Sequence, residues 1–303
     1  MNYSDISLKD ISYLLTLAEY KHFGKAAEAL YLSQPALSKQ IKQIETILGH
    51  RIFERNKRRI SITDIGLIII EQAKEVANSA QKLIESASVD QEPLSGDLRL
   101  GIIASSGPYL IPRILKDLIK QYPKLHLIVR EGYTKDLIEK LKQSQLDLVI
   151  AAKTFTDESL EFVDLFFEPF TLITAKNTKL AERKFVTEAD IDPSQMILLE
   201  EGNCLSDQVW ALCPSKNLDK KLRYQASSIE TLHYMVASGS AYSLVPELVK
   251  SKEREIKSMI KYIDFKKKSI GRKMVMVFRK NYFKKDDLIL FADLIKSKLP
   301  VTI

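Results

Sequence analysis

Along residues 8–20, apolar side chains recur at three- and four-residue spacing (Leu8, Ile11, Leu14, Leu15, Leu17, Ala18), which predicts an amphipathic helix. Ala26, Ala27 and Leu30 predict a second helix over 23–30, with a short connection after it. Ser33 is a good N-cap, and Pro35 suits the first turn of a third helix, where a missing N–H costs little. Leu37, Ile41, Ile44 and Leu48 then form a buried stripe that Gly49 ends, while Gln34, Ser38, Lys39 and Lys42 face the other way. Two short strands are expected next, around a basic tip that runs from Asn56 to Arg59. Thr63 caps a longer helix reaching about residue 88, in which Ile69, Ala73, Val76, Ala80, Leu83 and Ala87 step by four and three. That is an a/d seam across almost three heptads and predicts a dimerisation helix. A helix lying on its own domain would also carry an apolar stripe.

Past Pro93 and Gly96 the pattern changes to apolar strands over 98–104, 125–129 and 146–152, alternating with helices over 107–122 and 135–144. Such alternation predicts a parallel α/β sheet covered on both faces. It repeats with strands at 170–174 and 196–199, a helix over 229–238 and a strand at 242–245. A strand at 274–278 and a helix over 287–299 are expected to return to the first unit. The expected organisation is therefore an all-α winged helix-turn-helix domain at 1–62, a linker and dimerisation helix at 63–90, and an α/β domain at 91–303. That last domain has two lobes, about 97–165 with 270–303, and about 166–269.

Composition changes little in this picture. The 303 residues are 45% hydrophobic and 28% charged, which excludes disorder, and the net charge of +7 is mild. Residues 1–90 hold 12 basic and 11 acidic side chains, so any case for nucleic acid rests on where a few charges sit. No apolar run approaches the roughly 20 residues of a membrane span, and the N-terminus has neither the basic start nor the apolar core of a signal peptide. A cytoplasmic protein is expected, in which Cys204 and Cys213 are normally reduced.

Two helices joined by a short turn, with small residues in the first, describe a helix-turn-helix. The N-terminal end of its second helix would enter a major groove, with Ser33 and Pro35 starting the helix, Gln34 and Ser38 near base edges, and Lys39 and Lys42 on phosphates. Arg55, Lys57, Arg58 and Arg59 form the local basic cluster of the wing. Ala26-Ala27, Leu30, the run from Ser33 to Ser38, Ile41, Ile44-Glu45, Leu48-Gly49, Phe53 and Arg55 resemble, without a gap, the signature of the LysR-type transcriptional regulators. The resemblance implies promoter DNA as partner, a two-lobed effector domain like the periplasmic binding proteins, a homo-oligomer (usually a dimer of dimers), and contact with RNA polymerase. No cofactor is expected.

Ser105 and Ser106 sit where the first strand of the second domain meets its helix, and Thr134 follows the second strand. Their hydroxyls could hold a small polar ligand, or serve simply as caps. With Asn203 and Asp207 they make up the expected peroxide or effector pocket. Asn203 is a fitting N-cap, so Cys204 falls in the first turn of a helix, at its anion-favouring end. Were that helix to continue to Cys213, nine steps would separate the Cα atoms by about 13 Å, against a limit of roughly 7 Å for a disulfide.

The segment from Gly202 to Cys213, with Ser228 to Leu232 and Met235 to Ala237 after it, also resembles the redox site of the peroxide-sensing branch of the family. That implies a peroxide-reactive Cys204, a resolving Cys213 and a reversible disulfide between them. Asn203 and Ser206 stand where that branch usually has His and Arg, and Arg223 where it has a later His. These departures point to lower peroxide sensitivity or to a different oxidant. The main alternative is a LysR-type regulator with a small-molecule co-inducer in the cleft and inert cysteines. A thiol peroxidase or disulfide oxidoreductase fits less well, because the spacing is not Cys-x-x-Cys and a DNA-binding module would have no role in it. A metal sensor fits least, since His22, His50, His126 and His233 are scattered.

Overall fold

Ser7 and Asp10 cap each other's backbone and so start α1 (Leu8–Tyr20). The His22 ring caps α2 (Phe23–Ala29), and the Ser33 hydroxyl accepts the Ala36 amide at 3.4 Å to start α3 (Gln34–Leu48). Gly49, at φ 72°, ends α3 in the left-handed region that glycine enters at least cost. Leu14, Leu17, Ala26, Leu37, Ile41, Ile44 and Ile52 are buried together as one core. β1 (Phe53–Asn56) and β2 (Arg59–Ile62) pair antiparallel as the wing. Glu45 ties the start of the wing to α3, its Oε1 accepting the Ile52 and Phe53 amides at 2.8 and 3.0 Å. Gly66 lets α4 (Asp64–Ser86) start hard against that turn, since a Cβ there would lie 2.4 Å from the Ile52 carbonyl oxygen.

The computed structural model describes residues 5–56, 59–86, 92–200, 202–212, 224–239, 241–250 and 254–299. They fall into two units, Met1–Gln91 and Glu92–Ile303. In the first unit α4 packs on α1, and this divides the apolar stripe of α4. Ile70 and Ala73 are buried and Ile69 is half-buried against the core, whereas Val76, Leu83 and Ile84 are exposed and Ala80 is half-buried. The single seam expected from Ile69 to Ala87 is thus corrected. At 100° per residue its first turns rotate onto α1, whereas Val76 and Leu83 keep exposed side chains. Ala87 lies outside the described residues, as do Lys57, Arg58, Cys213 and Arg223.

The second unit opens with β3 (Gly96–Ile103), α5 (Gly107–Gln121), β4 (Leu125–Gly132), α6 (Thr134–Lys142) and β5 (Leu148–Ala152). It continues with β6 (Leu160–Ala175), β7 (Leu198–Leu199), α7 (Cys204–Ala211), β8 (Gln225–Ala226), α8 (Ile229–Ala237) and β9 (Ser243–Pro246). α9 (Arg254–Met259), β10 (Ile260–Asp264), β11 (Gly271–Arg279) and α10 (Lys285–Lys298) complete it. The main sheet runs β10-β6-β11-β5-β3-β4, with β9 also on β6. In it β3 pairs parallel with β4 and β5, and β11 is antiparallel to both β5 and β6. Within the main sheet the expectation of parallel pairing therefore holds for β3, β4 and β5, while the returning β11 enters against their direction; outside it, β7 pairs parallel with β8 and Met196 bridges Tyr242 in parallel.

β6 is one strand of 16 residues that serves both lobes. Its first half pairs with β11, and the stretch from Phe170 to Ala175 pairs with β9 and β10. The lobes exchange partners around Pro169, opposite Gly271, where a Cβ would lie 2.3 Å from the Glu168 carbonyl oxygen. Leu100, Ile102, Ile150, Met276, Phe278 and Phe291 centre the first lobe's core. Leu172, Ile173, Val209, Leu232, Val236 and Leu244 centre the second.

Candidate functional site

Cys204 is the first residue of α7, and local chemistry puts it there. Asn203 is buried and accepts the Leu205 amide at 3.1 Å, capping the helix, while the Ser206 hydroxyl donates to the Leu199 carbonyl at 2.6 Å. Leu205 and Val209 anchor α7 in the second lobe's core, with Trp210 and Leu212 half-buried against it. Cys204 points the other way, half-buried against the first lobe's apolar cluster, and its thiol is free. The helix with its C-cap reaches Leu212. Eight helical steps place the Cα of Leu212 about 12 Å from that of Cys204. One further peptide spans about 3.8 Å, so the next Cα can come no nearer than about 8 Å. That exceeds the roughly 7 Å a disulfide tolerates. With α7 intact, Cys204 cannot bond to a cysteine at 213.

A cavity of about 550 Å³ opens beside the thiol. Cys204, Asp207 and Gly202 line it from the second lobe, and Thr134, Ile138 and Phe155 are among the residues that line it from the first. Thr134 Oγ1 is buried without a hydrogen-bond partner. Of the expected pocket residues, Thr134 and Asp207 line the same cavity as Cys204, and Asn203 serves as the cap. Sequence reading missed Ile138 and Phe155: the i+4 spacing of Ile138 from Thr134 was the signal for the first, and Phe155 carried no local signal.

Ser105 and Ser106 do not line this cavity, which corrects the expected pocket. Their hydroxyls accept hydrogen bonds from Arg272 at 2.8 and 2.9 Å, and Arg272 Nη2 also donates to the Ser105 carbonyl at 3.2 Å. Ser106 makes no side-chain cap for α5. A buried guanidinium has five donors to satisfy, and these hydroxyls are spent on it. Arg272 Nε meets Glu168 Oε2 at 2.8 Å with both side chains 1% exposed, and Glu168 Oε1 accepts the Leu248 amide at 3.2 Å. Sequence reading missed this cluster, whose partners lie more than 100 residues apart.

Tyr109 links the lobes. It packs against both cores and donates to Glu230 Oε1 at 2.7 Å. Burial and the neighbouring carboxylate push the Tyr109 phenol far above its ordinary range, so it stays a donor at physiological pH. Burial, with the charge of Glu230, also raises the carboxyl of Glu131.

In the first unit, Gln34, Pro35, Lys39 and Lys42 are exposed and Ser38 is half-buried on α3, opposite the stripe formed by Leu37, Ile41 and Ile44. Ser33 is spent as the cap. Arg55 and Arg59 pair through their strands, Arg55 with Ile60 and Arg59 with Asn56. The outward face of α3 is therefore polar and cationic along its N-terminal half.

Residues 8–67 match the model of the bacterial regulatory helix-turn-helix protein, lysR family, and residues 91–300 that of the LysR substrate binding domain. The chain is 36% identical over 274 residues, 90% of each protein, to the hydrogen peroxide-inducible genes activator of Dickeya chrysanthemi. It is equally similar, at 36% over 274 residues and 90% of each, to the DNA-binding transcriptional dual regulator OxyR of Escherichia coli. A full-length OxyR variant from Pseudomonas aeruginosa matches its fold with a TM-score of 0.74 at 30% identity, over 96% of this chain and 97% of that one. Both units are thus accounted for, and the chain belongs to the LysR family of bacterial helix-turn-helix regulators.

Proposed function

We propose that this chain is a cytoplasmic transcriptional regulator that senses hydrogen peroxide through reversible disulfide formation between Cys204 and Cys213, and so changes its grip on promoter DNA. One observation carries the reading: Cys204 is the first residue of a helix that runs with its cap to Leu212, a span longer than a disulfide tolerates. Joining the two sulfurs requires α7 to unwind, with Leu205 and Val209 drawn from the second lobe's core. Reduced and oxidised proteins then cannot share a backbone, and a covalent event at one helix becomes a conformational switch. The 36% identity to hydrogen peroxide-inducible activators supports the same assignment. Thiol mapping by mass, before and after sub-stoichiometric peroxide and alongside promoter footprinting, tests it. A mapped Cys204–Cys213 bond that coincides with a changed footprint supports the reading; a changed footprint with both thiols free refutes it.

On DNA, α3 reads the major groove with Gln34 and Ser38 while Lys39, Lys42 and the wing residues Arg55, Lys57, Arg58 and Arg59 hold phosphates. Lys42→Ala should weaken binding equally on matched and unmatched sites and lower the salt slope by about one. Gln34→Ala should cost about 1–3 kcal/mol on the matched site alone. Titrating both variants against both sites at two salt concentrations separates these outcomes.

A single reading helix covers few base pairs, so the chain acts as a homo-oligomer through α4, with Val76, Ala80 and Leu83 meeting their counterparts. Burying one Leu contributes about 1.5–3 kcal/mol, so Leu83→Glu should weaken self-association at least about tenfold in sedimentation. Unchanged association would move the interface elsewhere.

A further inference from the structure

We propose that the cavity beside Cys204 receives neutral organic hydroperoxides, an alkyl or aryl group seated on Ile138 and Phe155 with the O–O bond at the thiol. The proposal rests on Cys204 being the reacting thiol. At about 550 Å³ the cavity falls in the range of ligand pockets, about 300–1,000 Å³, whereas a water molecule's share of liquid volume is about 30 Å³. Hydrogen peroxide, with two heavy atoms, would leave most of that space to solvent. Ile138 and Phe155 pack on the first lobe's apolar cluster, and the Phe155 ring is held edge-on by Phe162 at 5.4 Å between centroids. The Ile138 and Phe155 side chains offer an apolar group burial that hydrogen peroxide cannot use. The charged lining balances, Lys135 and Lys142 against Glu139 and Asp207, and Lys142 is already paired with Asp157 at 2.5 Å. A neutral occupant therefore suits it better than an anionic one. The unpartnered Thr134 Oγ1, buried in the same wall, supplies one hydroxyl for a peroxide oxygen.

The reaction balances within these groups. The Cys204 thiolate attacks the terminal oxygen of R–O–O–H, the S–O bond forms as the O–O bond breaks, and the alkoxide leaves and takes a proton to become the alcohol. Cys204 is left as a sulfenic acid, which the thiolate of Cys213 converts to the disulfide with loss of hydroxide.

The test is stopped-flow oxidation of the reduced full-length protein by cumene hydroperoxide and by hydrogen peroxide, followed by Trp210 fluorescence and by mass at Cys204. We expect the rate constant for cumene hydroperoxide to equal or exceed that for hydrogen peroxide. Phe155→Asp should lower the ratio of the two constants about tenfold, and the milder Ile138→Ser should lower it in the same direction. A ratio below about one-tenth in the unaltered protein, or one that neither variant moves, overturns the proposal and leaves Cys204 as the hydrogen peroxide sensor. Failure of both oxidants to modify Cys204 removes the proposal together with the reading beneath it.

Discussion

A Cys204→Ser protein is expected to hold its reduced promoter footprint at every peroxide concentration that switches the unaltered chain. The substitution changes one atom. Serine at the first position of α7 keeps the Asn203 cap and the burial of Leu205 and Val209, so folding stability should move by no more than about 1 kcal/mol. What is lost is the nucleophile, because a hydroxyl neither opens a peroxide bond at neutral pH nor joins a disulfide. Cys213→Ser should behave differently. Cys204 then stops at the sulfenic acid, which a dimedone probe detects, and recovery by thiol reductant is slow. A Cys204→Ser chain that still switches promoters under peroxide contradicts the assignment.

The largest stability effect is expected at Arg272. Arg272→Met keeps much of the side chain's length but leaves the Glu168 carboxylate buried without its counter-charge and the Ser105 and Ser106 hydroxyls without their donor. Breaking a buried pair by removing one partner costs about 3–5 kcal/mol. That is a large share of the 5–15 kcal/mol that holds a typical domain folded. The double variant Arg272→Met with Glu168→Leu removes the stranded charge and should recover much of the loss, since an apolar replacement for a buried pair is often close to neutral. Urea melts followed at Trp210, the single tryptophan and a residue of the second unit, report on that unit directly. Equal destabilisation by the single and double variants would show that the pair is not the source of the cost.

The parts of the fold legible in the sequence were those fixed by local chemistry. Ser33, Pro35 and Gly49 set both ends of α3 because a cap, a proline and a left-handed stop each act within one turn. Asn203 placed Cys204 at the start of α7 for the same reason. Whatever depended on distant partners stayed hidden. Periodicity recorded that Ile69 and Ala73 were apolar but not that α1 would cover that face before a second chain could. Alternation of strands and helices identified the α/β unit, yet strand direction is set by where β11 enters, more than 90 residues after β5. Ser105 and Ser106 read as ligand-binding hydroxyls because their real partner, Arg272, lies 167 and 166 residues away. The cavity was half legible: Thr134, Cys204 and Asp207 stood out, while Phe155 became part of it through the loop after β5.

Sensing, on this account, depends on a covalent bond and a helix excluding each other. Burying Leu205 and Val209 stabilises α7 by about 1.5–3 kcal/mol each, and disulfide formation must offset that loss. Amide hydrogen exchange over residues 204–212, compared between the dithiol and disulfide proteins at equal pH and temperature, measures the exclusion most directly. The prediction is that the amides of Gln208 to Leu212, protected by helical bonds in the dithiol protein, exchange at least about tenfold faster once the disulfide has formed. Equal protection in the two states would mean that both sulfurs bond with α7 intact, and the switch would have to be sought elsewhere.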